Sequence, residues 1–102
     1  MIEICILIPV RANDGTTFTV EDHTAFEAEL VRLFNGFSLL DATAFGGWVD
    51  AGIVYQDECR LYAVFIGSLA DGSKVGLAVA FAKTHYGQWA VTIRYLGLAE
   101  IL

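Results

Sequence analysis

Near its end the chain places His85 beside Tyr86, followed by Gln88, Thr92 and Arg94. An imidazole next to a phenol is a pairing that can move protons, but general acid–base work needs a second positioned group. Gln88, Thr92 and Arg94 have the same parity and share one face of a strand. They either supply that group, bind an anion or line a solvated sheet edge. His85 also ends a helical pattern, where it suits the negative end of the helix dipole, and this capping role is the expectation. His23 falls in the first turn of another helix and is expected to be exposed and without a role. Trp48 follows Gly46 and Gly47. It either walls a small-molecule pocket, since pockets are mostly aromatic with few polar groups, or fills core space above the two glycines, which is the expected role. The candidates for a ligand pocket are Trp48, Tyr62, His85, Tyr86 and Arg94.

Other chemistry is poorly served. Asp57, Glu58 and Cys59 are consecutive, and strand neighbours point to opposite faces, so they do not converge on a metal without a bulge. Two His and two Cys at unrelated spacings form no zinc pattern. No glycine-rich phosphate loop, nucleophile elbow or His-Glu-x-x-His occurs. Neither a metal nor a cofactor is expected.

The elements that must position these residues follow from 102 residues, 56% of them hydrophobic, with a mean hydropathy of +0.56. The length predicts one domain over residues 1–102. A chain this short buries only about two-thirds of its unfolded surface, so apolar residues remain outside, and large apolar patches mark interfaces or ligand grooves. We expect a homodimer, since two-fold closure is the commonest assembly. The longest apolar runs fall far short of the ~20 residues that span a bilayer, and Glu3 stands where a signal peptide carries basic residues. Membrane association is not expected. Cys5 and Cys59 sit in strand-like segments as buried thiols of a reducing compartment, which places the chain in the cytoplasm. The net charge of −6, with six scattered bases, disfavours nucleic acid as a partner.

Along the chain, Ile2, Ile4, Ile6, Ile8 and Val10 alternate as a strand. Thr19 and Asp22 read as a capping box, leading a helix with a stripe at Phe26, Leu30, Leu33 and Phe34. Asn35-Gly36 stops it, with Gly36 expected in the left-handed conformation. Two β-rich pieces, 37–40 and 45–49, flank Asp41–Ala44, and Asp50-Ala51-Gly52 turns the chain back into Ile53–Tyr55. An interruption is expected at Gln56–Glu58, before alternation resumes from Arg60. A second helix runs from about Asp71 to Tyr86, with Val75, Val79, Ala82 and Tyr86 buried and Gly87 as its stop. Gly72 and Gly76 mark a close-packed or frayed first turn. The last strand alternates Trp89, Val91, Ile93 and Tyr95, is broken at Gly97, and leaves Leu98–Leu102 free to reach a partner subunit. The β-α-β-β-α-β order predicts an α+β, ferredoxin-like two-layer sandwich, an antiparallel sheet with both helices on one face.

The stretch Phe34, Gly36, Phe37, Ser38, Gly46 or Gly47, Trp48, Gly52, Ile53, Tyr62 and Val64 resembles a group of small, uncharacterised bacterial domains. These share Phe-x-Gly-[Phe/Leu]-[Ser/Thr], then Gly-x-Trp and a hairpin. The resemblance implies a ferredoxin-like fold, brings no established activity and carries over no catalytic residue.

Three function classes follow. The first is a non-catalytic dimeric module that binds a small apolar or aromatic ligand, or another protein. The second is a small cofactor-free enzyme of the dimeric α+β type, using His85, Tyr86 or Arg94. The third is an acidic, antitoxin-like inhibitor of a basic protein, which requires Glu21, Asp22, Glu27 and Glu29 to form one face.

Overall fold

A computed structural model gives the order β1 (Ile2–Pro9), α1 (Val20–Phe34), β2 (Ser38–Asp50), β3 (Ile53–Ile66), α2 (Gly72–Tyr86) and β4 (Ile93–Leu98). The structure describes the backbone of residues 1–102, and the side chains of all but residues 46, 48, 50 and 54–57. The strands form one sheet in the order β2-β3-β1-β4, and every neighbouring pair is antiparallel. This is the ferredoxin-like arrangement that the alternation of elements predicts.

The register explains the core. Ile4 lies opposite Val64 and Ile6 opposite Tyr62, so the even positions of both strands share one face. Ile4, Ile6, Ile8, Tyr62, Val64 and Ile66 are buried there against Phe26, Leu30 and Leu33 of α1 and Val75, Ala78, Ala82 and Tyr86 of α2. Each large apolar side chain removed from water in this way contributes roughly 1.5–3 kcal/mol. In α2, Ala78 is fully buried and Val79 packs against the core while only partly buried.

Local chemistry sets the boundaries. The Thr19 hydroxyl accepts from the Asp22 N–H at 3.1 Å, and the Asp22 carboxylate accepts from the Thr19 N–H at 2.9 Å. These backbone and side-chain bonds to Thr19 hold the Asp22 carboxyl below its ordinary value. At the other end of α1 the left-handed residue is Asn35, at φ 63°, and Gly36 continues at φ 158°. The expectation had these roles one residue later; Asn tolerates the left-handed region because its short polar side chain bonds locally. The β2–β3 turn is built from Ala51 at φ 51° and Gly52 at φ 80°, the two positive values that match the twist of a tight hairpin.

The irregularity expected at Gln56–Glu58 lies in β2 instead, opposite Cys59–Tyr62. β2 is one strand, and its register shifts between Leu39 and Asp41 and again between Asp41 and Ala44. There the Asp41 carboxylate captures the Thr43 N–H at 2.9 Å, a side-chain bond that competes with the ladder. Glu58 stays paired with Phe45 and meets Arg11 at 3.0 Å. Before α2, a short 3-10 turn, Leu69–Asp71, is capped by Ser68. A methyl group added at Gly72 or Gly76 would meet nothing within 4 Å, so close packing does not explain these glycines. β4 begins only at Ile93, leaving Trp89 96% exposed. Gly97 does not end this strand. It pairs with Glu3 while Tyr95 pairs with Ile4, so the step is a bulge, where glycine is favoured. Among the described residues no helix is long and apolar enough to cross a membrane.

Candidate functional site

The polar groups of the core gather where α1 crosses β3 and the end of α2. In α1, His23 and Glu27 are one turn apart and point the same way. The Tyr62 hydroxyl donates to Glu27 Oε2 at 2.6 Å. Arg60, two residues earlier on β3, brings its guanidinium to 3.7 Å from the same oxygen and lies 5.7 Å from the Tyr62 ring centre. His23 Nδ1 is 2.9 Å from the Tyr86 hydroxyl. His85 Nε2 lies 2.7 Å from the Asp22 carbonyl; a carbonyl only accepts, so this nitrogen carries a proton. Phe26 stands edge-on to both Tyr62 and Tyr86, at 5.4 and 5.8 Å, and Phe81 stacks on His85 at 5.2 Å.

Burial governs the protonation of this cluster. It pushes the Tyr62 phenol up, assisted by the bond to Glu27, and pushes the Tyr86 phenol up as well. It pulls the His23 imidazole down, assisted by Arg60. Both phenols are therefore neutral hydroxyls and His23 is a neutral imidazole at pH 7. Among the described residues no buried side-chain nitrogen or oxygen lacks a partner. The cluster joins elements by bonds made among its own members.

Three of the five pocket candidates meet here. Tyr62 and Tyr86 flank Phe26 in the core, and half-buried His85 is adjacent. Arg94 is elsewhere: it pairs with Cys5, which faces away from the helices, and it is exposed. The Trp48 side chain lies outside the described residues; its backbone pairs with Tyr55 in the β2–β3 hairpin. His23 departs from expectation. It is 6% exposed, because the end of α2 and Phe18 close over the first turn of α1. Sequence reasoning missed Glu27 and Arg60, although the i,i+4 spacing of His23 and Glu27, and the placement of Arg60 two residues before Tyr62, carried the signal. His85 bonds across to α1, a contact that no spacing predicts.

The surface offers a different kind of site. Ile2, Leu69, Tyr95, Gly97 and Leu98 line an open apolar groove of about 450 Å³. Tyr95 and Leu98, 64% and 90% exposed, form its β4 wall, and β4 is an edge strand. A second exposed apolar group, Phe45, Val49 and Ile53, lies on the hairpin at the opposite edge of the sheet. Among the described residues no three His, Cys, Asp or Glu side chains are grouped to hold a metal. The acidic face considered for an inhibitor is largely committed elsewhere: Asp22 caps α1, Glu27 holds Tyr62, and Glu29 pairs with Arg32.

No protein-family model and no curated sequence matches the chain. Solved structures do. The divalent cation tolerance protein CutA1 from Thermus thermophilus is 17% identical, with a TM-score of 0.68 over 99% of this chain and 86% of that one. A phage SAM lyase in complex with S-methyl-5'-thioadenosine is 15% identical, with a TM-score of 0.68 over 98% and 84%. The divalent ion tolerance protein CutA1 from Ehrlichia chaffeensis is 12% identical, with a TM-score of 0.61 over 99% and 83%. At these identities the likeness is one of fold, and the chain shares the ferredoxin-like fold of these proteins.

Proposed function

We propose that residues 1–102 form one ferredoxin-like domain that acts as a non-catalytic, homo-oligomeric binding module, taking a small apolar or aromatic ligand or a protein segment. The observation that carries this reading is the apolar groove along β4, walled by Tyr95 and Leu98. The polar groups able to do chemistry are bonded to one another in the core and do not line that groove. Apolar surface at both edges of the sheet supports self-association. A dimer is the simplest closed form, and contact between unlike edges would instead build a ring. Two isolated cysteines, Cys5 and Cys59, at unrelated positions in strands suit a cytoplasmic protein. The resemblance to small bacterial domains fits this reading and adds no activity to it.

A second reading is a small cofactor-free enzyme, favoured by the fold shared with the phage SAM lyase. In that case Tyr62, Tyr86 or His85 would act on a nucleoside sulfonium. Native mass spectrometry of freshly purified protein tests both readings. An oligomer carrying a small stoichiometric mass, unchanged by incubation with SAM, supports the module. Release of S-methyl-5'-thioadenosine from added SAM overturns it in favour of the enzyme, and a bare monomer overturns the self-association.

A further inference from the structure

The start of α1 and the end of α2 are joined by the two histidines of the chain. His23, 6% exposed, meets the hydroxyl of Tyr86, 3% exposed, across 2.9 Å. His85 reaches back from α2 to the Asp22 carbonyl. Phe18, from the segment before α1, covers the join edge-on, 4.9 Å from Tyr86 and 6.3 Å from His23 between ring centres. One seam thus holds two helices and a loop through an imidazole that has little contact with water.

We propose that this seam is an acid-sensitive latch, in which protonation of His23 releases the end of α2 and Phe18 from α1 and exposes the aromatic surface beneath.

Every element packed around His23 bears on its charge. Asp22 and Glu27 of α1 favour an imidazolium, whereas Arg60 of β3 and His85 of α2 oppose it. The phenols of Tyr86 and Tyr62 are neutral, and Phe18 brings no charge. Burial is the largest influence and opposes the cation, as does the positive end of the α1 dipole, since His23 lies in the first turn or just beyond it. Protonation makes both ring nitrogens donors, so a Tyr86 hydroxyl that donates to Nδ1 must swing its proton away and accept instead, leaving a charged ring in a buried place. Releasing α2 lets the imidazolium reach water. The sign follows from linkage: an imidazole held below its unfolded value of about 6.5 contributes stability that is present above that pH and is lost as pH falls toward the folded value.

The test compares the wild-type chain with His23→Gln, which keeps a polar group opposite Tyr86 and does not titrate, and with His85→Gln. Urea midpoints and anilinonaphthalene sulfonate fluorescence are read between about pH 7.5 and about pH 5, the range over which histidine changes charge. The latch predicts that the folded-to-unfolded ratio of wild type falls several-fold more than that of His23→Gln, with dye binding rising only where His23 is present. His85→Gln should keep the acid response. Equal losses in wild type and His23→Gln overturn the proposal. If His23→Gln does not fold, proton NMR of the wild-type imidazole decides. Titration of His23 below the free histidine range, with Tyr86 ring signals moving in step, supports the latch. Titration at or above that range overturns it.

Discussion

Tyr62 donates its hydroxyl proton to Glu27 across 2.6 Å, tying β3 to α1 at a point where the Tyr62 residue is 0% exposed and Glu27 is half-buried. A phenol donating to a carboxylate is a charge-assisted bond, stronger than a neutral one. Its removal leaves the carboxylate with Arg60 at 3.7 Å as a distant partner.

Tyr62→Phe is therefore expected to lower stability by about 1–2 kcal/mol. In urea unfolding the midpoint should fall with an unchanged slope. Glu27→Gln keeps an acceptor opposite the phenol and should cost less. A Tyr62→Phe midpoint equal to wild type would mean that the bond holds nothing together.

Thr19→Ala removes one half of the capping box and should destabilise α1 by about 1 kcal/mol. Circular dichroism during thermal unfolding measures the change. Thr19→Ser, which keeps the accepting oxygen, should recover most of the loss.

At the hairpin tip, Ala51 holds φ 51°, a conformation that costs a residue with a Cβ roughly 1 kcal/mol or more. Ala51→Asn should raise stability by a few tenths to about 1 kcal/mol, because Asn visits this region more readily. Gly52→Val, at φ 80°, should have the opposite effect. Paired chemical denaturation curves separate the two outcomes.

Leu98→Asp alters a side chain that is 90% exposed in the free chain, so its fold stability should move by no more than about 0.5 kcal/mol. If the β4 groove is where a ligand or a second copy sits, the same change should strip the bound mass or shift native mass spectra toward monomer. Assembly and bound mass identical to wild type would remove the groove from the functional account.

Much of this architecture was legible in one-dimensional patterns. Alternation at Ile4, Ile6 and Ile8, the Thr19–Asp22 box and the Asp50–Gly52 turn are each local, so their physics is complete within a few residues. What escaped depended on partners distant in sequence. His23 looks exposed from its own helix and becomes buried because Tyr86, 63 residues later, folds over it together with Phe18. The shifted register of β2 is the exception: the Asp41 carboxylate takes the Thr43 N–H two residues on, a local competition with the ladder that residue type alone does not decide. The candidate pocket divided because of distant partners. Tyr62, His85 and Tyr86 converge through packing, whereas Arg94 follows strand parity to the other side of the sheet.

The position of β1 sets an order of events as the chain is made. β1 is made before the other three strands of its sheet, yet it lies between β3 and β4, the latter formed by residues 93–98. The β2–β3 hairpin can close early from neighbouring residues, and β1 can then add to it. One margin of β1 still offers unpaired backbone groups until residues 93–98 have appeared. A ribosome-bound intermediate would carry Ile2, Ile4 and Ile6 along an open strand margin, the kind of edge that recruits other chains. Late completion of the sheet by β4 makes the last strand the guard of the first.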